Sequence, residues 1–471
     1  MSSPFYPFWL EQALAGEGYP EPQPLSETLH ADVCIIGGGY TGLWSAIALR
    51  QARPNWRIVV LEKDLCGAGA SGRNGGCMLT WSAKYLTLRR LFGEQKARWL
   101  VSASEQAVHA IANFCDEHGI HADLRLEGTL YTATNQAQQG GMTPVLSALS
   151  DSGLNHWQHI DGEQLASACG STQHKEAHFS PYAGSVQPAL LARGLLHTAR
   201  AMGIEVYERT PMAELIPNSQ QGGAVTIRTP QGQVEAGQVI LAINSAMAER
   251  FREFRRSIVL VSSDMVITEP APASLQQQQM DHGRCVVDGR TFVYYYRSTP
   301  DGRLMLGKGG NTFTFANRHL AEFDQPSRYK ESLSQALYHF FPHLNKTPIA
   351  ASWCGASDRS VDGLPFFGQW RQHPNIFYGF GYSGNGVTQS WIGGQILSAL
   401  VCGEDNDWTR CALTGGPRGY FPPEPFRWVG AMMVRNAIRR KERAEDENRA
   451  PHWWDKQLAK LADAAGKADT H

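Results

Sequence analysis

The sequence predicts an α/β chain in which a discontinuous Rossmann-like domain, shaped for a dinucleotide, is interrupted by an inserted mixed β-sheet (α+β) domain. Three observations carry this expectation. Ala31–Ile36 is a short apolar run that leads directly into Gly37, Gly38 and Gly39 and then into a stretch of helical spacing. Alternating strand and helix signals occur towards both ends of the chain, with strand-rich sequence between them. Glycine reaches 47 of 471 residues, about 10% against roughly 7% in ordinary chains. That excess asks for backbone lying close to a ligand.

Composition narrows the class further. At roughly 150 residues per domain the length suggests two or three domains. Lys plus Arg total 43 and Asp plus Glu 44, a net charge of −1, which argues against nucleic-acid binding. With 42% apolar and 18% charged residues the chain can bury a large core rather than stay disordered. No segment reaches the roughly 18 apolar residues of a spanning helix, and the N-terminus lacks the basic start and apolar run of a signal peptide. The nine cysteines are scattered without a CxxC pair, which reads as reduced thiols and a cytoplasmic protein. The sixteen histidines show no metal-ligand spacing, so no metal is expected.

Residues 1–30 read as an arm, aromatic at Phe5, Tyr6, Phe8 and Trp9, proline-rich from Pro20 to Pro24, with a short helix over Phe8–Leu14. Tyr40–Arg50 places Leu43, Ala46 and Leu49 on one helical face. After a turn at Pro54–Asn55, Arg57–Leu61 is a second buried strand ending at Glu62, which completes a βαβ unit. Helical patterns occupy 84–118. Gln187–Met202 is a helix closed by Gly203. Strands follow at 203–207, Ala224–Thr229, Gln233–Ala236 and Val239–Ile243, then at Val259–Thr268, Thr291–Arg297 and Arg303–Lys308, the last two joined by a Pro300-Asp301-Gly302 turn. Lys330–Phe341 and Gly393–Val401 are helices, and glutamines 276–279 a solvated loop. The expected division is an arm (1–30), a discontinuous cofactor-binding domain (31–120, 181–250 and 351–402), a substrate-binding domain (121–180 and 251–350) and a C-terminal helical extension (403–471).

Gly37-Gly38-Gly39-Tyr40-Thr41-Gly42 fits GxGxxG between a strand and a helix. Gly37 makes the tight turn, Gly39 lets backbone approach a pyrophosphate, and Gly42 lets the helix pack on the sheet. Tyr40 and Thr41 open a helix whose free N–H groups face the phosphates. Glu62, with Lys63 beside it, closes the second strand where a ribose hydroxyl is expected. NAD and FAD share this fingerprint. The second glycine-rich segment, Ser71-Gly72-Arg73-Asn74-Gly75-Gly76, favours FAD, whose longer extended form needs a loop past the second strand.

Here the sequence resembles a known group. GAGASGRNGG, preceded by DVCIIGGGYTGL, is similar to the glycine oxidase, sarcosine oxidase and D-amino-acid oxidase superfamily of FAD-dependent amine oxidoreductases. Ser185-Val186-Gln187-Pro188, then Trp353-Cys354-Gly355 with Asp358 and Asp362-Gly363-Leu364-Pro365, then Gly379 to Thr388, resemble that superfamily's further motifs in order. The resemblance spans roughly 30–402. It implies FAD held by Ser71, Arg73, Asn74, Gly75, Gly76 and Asp358, and by Gly384, Asn385, Gly386, Val387 and Thr388 at the flavin's pyrimidine end, where helix-start N–H groups would stabilise developing negative charge. Cys354 stands one place out of register with the cysteine that tethers flavin in several sarcosine oxidases, so FAD is expected to be non-covalent and Cys354 a buried thiol.

Substrate-side candidates are Tyr294 and Tyr296, which share one face of a strand, Lys308 in the following Gly307-Lys308-Gly309-Gly310 turn, and Arg73, near an active-site histidine of sarcosine oxidase. Trp81 and Lys84 are further pocket candidates. Met305 stands where sarcosine oxidases carry an oxygen-activating lysine, which argues against rapid oxygen use. The activity implied is hydride removal from the carbon bearing nitrogen, giving an imine that water hydrolyses. The substrate expected is a small amine bearing an anionic group, first an aminophosphonate such as 2-aminoethylphosphonate or its N-methyl form. A γ-glutamylputrescine-like amine is the alternative, and an NADPH-dependent hydroxylase stands behind both. Dioxygen and a quinone both remain open as electron acceptor, as does the oligomeric state. The stretch Arg427–Arg449 is basic enough to be a candidate for peripheral membrane contact; its acidic residues Glu442, Glu445, Asp446 and Glu447 favour a solvated helix packed on the body.

Overall fold

Val33, Cys34, Ile35 and Ile36 follow one another without a polar break, and all four are buried. Such a run suits a parallel strand covered on both faces. In the computed structural model, which describes residues 5–18, 21–218 and 223–470 without the side chains of 463–465, Thr28–Ile36 is the centre of the first sheet. Residues 1–4, Tyr19 and Pro20 of the expected arm lie outside the described residues. Across this sheet the strands run Phe366–Trp370, His373–Phe380, Gln233–Leu241, Thr28–Ile36, Ile58–Leu61 and Glu205–Tyr207. The contacts among the last five are parallel, and the Phe366–Trp370 edge is antiparallel. The helix Tyr40–Ala52 covers one face beside Gly386–Val401, a helix that begins earlier than its apolar spacing suggested. Gln233–Leu241 is one strand where two were expected, because its register with Thr28–Ile36 runs on past Gly237.

The second sheet is mixed and has the order Ile349–Ser360, Ile258–Thr268, Leu304–Phe313, Tyr294–Ser298, Cys285–Asp288, Thr129–Ala133, Glu176–Ser180 and Gln158–Ile160. Three sequence expectations are corrected here. Gly307-Lys308-Gly309-Gly310 is not a turn. Pairing of Asp264 with Lys308 and Ser263 with Gly309 keeps the strand extended to Phe313. Ile349–Ser360 pairs along its whole length with Ile258–Thr268, so the chain enters the first sheet only at Phe366 rather than at 351. Gln276 and Gln277 end a short helix, Pro272–Gln277, with proline in its first turn.

The helix Phe8–Glu17 fastens the two halves. Trp9 is fully buried, edge-on to Trp353 at 5.6 Å, with the Arg297 guanidinium 5.0 Å above its ring. Its backbone oxygen accepts from Gln187 (2.8 Å), and Glu17 pairs with Arg193 at 2.8 Å. The tail helix Phe426–Asp446 packs on the second sheet through Ala437 and Ile438 while Glu442 accepts the Phe292 N–H. Among the described residues no helix is long and apolar enough to cross a membrane.

Candidate active site

A cavity of about 890 Å³ lies between the sheets, near the upper end of ordinary ligand clefts of about 300–1,000 Å³. Gly37 opens it. Its φ of 110° is unfavourable for any residue with a Cβ, which would in addition meet the Ala242 carbonyl oxygen at 2.4 Å. A Cβ on Gly42 would lie 1.9 Å from the Gly37 carbonyl oxygen, so only glycine lets the helix start this close to the strand. Glu62 accepts the N–H groups of Gly38 (2.8 Å) and Asp64 (3.0 Å), and burial holds its carboxyl above the usual range. Gly37, Gly39, Tyr40, Thr41, Glu62 and Lys63 all line the cavity. Gly42 does not; it makes the helix–strand contact.

The second glycine segment is tied to the first, since the Tyr40 N–H donates to Ser71 Oγ (2.9 Å). Asn74 braces its own loop, donating to Ala70 and Ser71 carbonyls and accepting the Gly76 N–H (2.7 Å). Arg73 donates to the carbonyls of Ala68 (2.7 Å), Phe323 (2.6 Å) and Cys354 (3.3 Å) and pairs with Asp324 (3.3 Å). Ser71, Arg73, Asn74 and Gly75 line the cavity. Gly76 lies behind it, against Val186 and Arg297. Cys354 is buried, within 3.5 Å of the Glu322 carbonyl, and is not part of the wall.

In the third segment the Asp358 carboxylate accepts the Gly381 N–H and its backbone oxygen accepts that of Ser383 (3.1 Å). Burial raises Asp358 to about 6. Asp358, Gly384, Gly386 and Val387 line the cavity. Asn385 and Thr388 do not: Asn385 Oδ1 accepts from Lys467 (2.6 Å), and Thr388 Oγ1 is buried without a partner among the described residues.

Across from the glycine segments the wall is made by side chains of the second sheet, and here the expected residues point elsewhere. Tyr294 and Lys308 are cross-strand partners on the far face, with Lys308 Nζ 3.7 Å from the Tyr294 ring centre and 3.1 Å from the Phe292 carbonyl oxygen. Tyr296 is in the core against Phe341, its hydroxyl at 2.8 Å from the Cys169 carbonyl and 2.7 Å from His174 Nε2. Strand alternation therefore turns Tyr295 to the cavity, where its hydroxyl meets Ser263 Oγ at 2.9 Å. Trp81 and Lys84 are buried outside the wall, and Lys84 pairs with Asp469 at 3.7 Å. Sequence reasoning missed Tyr295, Ser357, Arg359 and Lys467, all of which line the cavity. For Tyr295 a signal existed: Gly307 sits opposite, and a Cβ there would strike the tyrosine ring at 2.2 Å.

A glycine cradle that any Cβ would fill, an acid closing the second strand and a helix start facing the same cavity define a dinucleotide-dependent redox enzyme, and these residues fit FAD. Residues 32–400 match the family described as FAD dependent oxidoreductase (DAO), and the chain belongs to that family. The gamma-glutamylputrescine oxidoreductase of Escherichia coli (strain K12) is 29% identical over 426 residues, covering 89% of this chain and 95% of that one. Glycine oxidase of Geobacillus kaustophilus (strain HTA426) is 24% identical over 385 residues, 79% of this chain and 92% of that one. A crystal structure of glycine oxidase from Geobacillus kaustophilus superposes with a TM-score of 0.67 at 21% identity, covering 82% of this chain and 99% of that one. The protein is an FAD-dependent oxidoreductase.

Proposed function

We propose that the protein oxidises a primary or secondary amine carrying an anionic group, with a γ-glutamylputrescine-like amine ahead of an aminophosphonate. The observation that carries this is the Arg359 guanidinium in the wall of the cavity that the three glycine segments also line. The order of substrates follows the relative of E. coli, which this chain matches over 95% of its length. The aminophosphonate remains as a second reading because a second cation, Lys467, lines the same cavity, and paired cations suit a phosphonate dianion.

When bound, FAD supplies the two-electron acceptor for the carbon–nitrogen oxidation. Gly37, Gly39 and the first turn of Tyr40–Ala52 would hold its pyrophosphate, Glu62 its ribose, and Gly384 and Gly386 its pyrimidine end. Thr388, Asn385, Gly42 and Gly76 support these contacts from behind the wall. The chain then has to present the amine neutral, because an ammonium has no lone pair to give. Enclosure and the nearby Arg359 both disfavour the ammonium form. Tyr295, whose hydroxyl burial keeps protonated, can donate to or accept from the substrate without losing its proton. Met305 is fully buried and would lie 3.1 Å from a Cβ on Gly75. An apolar group at that place supports slow reaction with dioxygen and a quinone-type acceptor. Cys354, outside the wall, supports non-covalent FAD. The nine cysteines, all free thiols, support a reducing, cytoplasmic setting.

Anaerobic mixing of the FAD-loaded protein with an amine panel tests the reading. Bleaching by γ-glutamylputrescine at least tenfold faster than by 2-aminoethylphosphonate is expected. The reverse order would promote the aminophosphonate, and bleaching by NADPH alone would replace amine oxidation with hydroxylase chemistry.

A further inference from the structure

The tail helix Phe426–Asp446 and the shorter helix Trp453–Ala459 after it lie beyond residue 400, where the family match ends. The tail helix buries Arg427, Ala437, Ile438 and Glu442. On its other side Phe426, Val429, Met433, Asn436, Arg440 and Arg443 recur at the three- and four-residue spacing of a single helical face, and all six are exposed. Phe426 is 71% exposed, Met433 54% and Val429 47%, so nothing among the described residues covers this apolar stripe. Val429 also joins it to a groove of about 590 Å³, walled by Phe313, Phe315, Leu320, Trp428 and Met432 together with Arg328 and Arg435. Trp453 and Trp454 stack on each other at 3.9 Å and stand exposed as well. Of the eleven large apolar side chains exposed among the described residues, six fall between Phe426 and Leu461. Such a concentration marks an interaction surface.

Charge decides what this surface can meet. In the sequence the acids of the tail dilute its basic character, but the fold uses them up. Glu424 pairs with Arg427 (2.6 Å), Glu445 with Lys441 (2.8 Å), Asp446 with Arg290 (2.5 Å), Asp455 with Arg440 (2.6 Å) and Glu447 with Arg449. Glu442 is buried and accepts the Phe292 N–H (3.2 Å). Arg435, Arg439, Arg443, Lys456 and Lys460 are left with no carboxylate partner among the described residues. Arg443, Lys456 and Lys460 are exposed. Arg435 and Arg439 lie side by side, both donating to the Asn311 carbonyl at 3.2 Å. Burial, and then the like charges of Arg439 and Arg328, disfavour the charged form of Arg435, a strain that a nearby anion would relieve. An apolar stripe with exposed tryptophans, bordered by cations whose acids are spent elsewhere, has the make-up of an element that lies in the interface of an anionic membrane. A second copy of the chain fits this face poorly, because a two-fold contact would set the same cations against themselves.

We propose that the tail is a docking surface for an anionic lipid bilayer. Phe426, Val429, Met433 and the Trp453–Trp454 pair enter the interface, and Arg435, Arg439, Arg443, Lys456 and Lys460 meet the lipid phosphates. The inference goes beyond the proposed amine chemistry and does not rest on it. Its test is sedimentation of the FAD-loaded full chain with vesicles of phosphatidylcholine alone and of phosphatidylcholine with about one third phosphatidylglycerol. Binding at least tenfold tighter to the anionic vesicles is expected. It should fall at least tenfold between about 0.1 and 1 M salt, as the screening length shrinks from about 10 to 3 Å. Phe426→Asp combined with Met433→Asp should weaken it at least tenfold, and so, separately, should Arg443→Gln combined with Lys456→Gln and Lys460→Gln. All five side chains are exposed, so both variants should keep their FAD, which the visible spectrum reports. Equal binding to the two vesicles, pelleting with neither, or binding unmoved by both sets of substitutions would overturn the proposal. A wild-type dimer that Met433→Asp splits, with no vesicle binding, would give the face to a second copy. Retention on immobilised polyglutamate with no vesicle binding would give it to an acidic protein; either result overturns the membrane assignment. None of these readouts involves the amine, so failure here leaves the amine reading standing, and a protein that pellets with anionic vesicles but is bleached by no amine would sink that reading alone.

Discussion

The two walls of the cavity are made of different material. On the first-sheet side the surface is largely backbone, with Gly37, Gly39 and Gly384 in the wall and a Cβ on Gly37 barred by the Ala242 carbonyl oxygen at 2.4 Å. On the opposite side it is Tyr295 from one strand, Ser357 and Arg359 from a second, and Lys467 from the C-terminal segment. Where backbone packs on backbone, as at Gly37 and at Gly42 behind it, the response is all-or-none, because adding one carbon displaces the main chain itself. A side-chain wall fails by degrees, because each group can be trimmed while the scaffold stands. Cofactor retention should therefore respond steeply and substrate handling gradually.

The steepest test is Gly42→Ala. With its Cβ 1.9 Å from the Gly37 carbonyl oxygen, the variant should purify with less than about a tenth of the FAD of wild type, read from the ratio of visible to ultraviolet absorbance. Stoichiometric FAD in this variant would erase the contrast. Glu62→Gln comes next. Removing the charge from a carboxylate that accepts two N–H groups forfeits roughly 1.5–3 kcal/mol per charged hydrogen bond at most, so FAD affinity should fall about 10- to 100-fold in equilibrium dialysis.

On the other wall, Tyr295→Phe should leave FAD affinity within about twofold and slow anaerobic reduction by amine about tenfold. Tyr296→Phe should do the opposite, costing about 1–3 kcal/mol in denaturant unfolding as His174 and the Cys169 carbonyl lose their partner, with reduction unchanged. If Tyr296→Phe slows reduction as Tyr295→Phe does, the parity assigned to this strand is wrong. The smallest expected effect is remote from both walls. Glu105, on the helix Glu94–Glu117, is pushed up to about 7 by burial alone. Its neutral form is the one the fold favours, so its contribution is complete below the unfolded value of about 4.3 and is lost as pH rises through about 7. Glu105→Gln should gain on the order of 1–2 kcal/mol over wild type at pH 8 and nothing at pH 4, with FAD binding unaltered at either pH.

The same division explains what could be read from the chain. Gly37 and Gly42 are dictated by local backbone geometry, so their spacing announces the turn, the helix start and the acid at Glu62 without any tertiary information. Tyr294-Tyr295-Tyr296 offers no alternation of polarity, and nothing local says which face is core; the register with Leu304–Phe313 decides it. Glycines 307, 309 and 310 imitate a turn, yet Gly307 and Gly310 make room for the rings of Tyr295 and Phe292 on adjoining residues. Lys467 carries no signal at all, since its place is set by Asp469 docking on a helix that starts at Tyr85.

The interleaved order of the first sheet also has a consequence for how the chain is made. Thr28–Ile36 emerges early with Ile58–Leu61 close behind, but its other neighbour, Gln233–Leu241, and that strand's own neighbour, His373–Phe380, come much later. At about 5–20 residues per second, the apolar edge of the central strand waits on the order of tens of seconds for its partner. No fragment ending before residue 360 completes either sheet. Nascent chains thus carry an open strand edge through most of translation, and the demand for a holding chaperone should fall abruptly once residue 380 has cleared the exit tunnel.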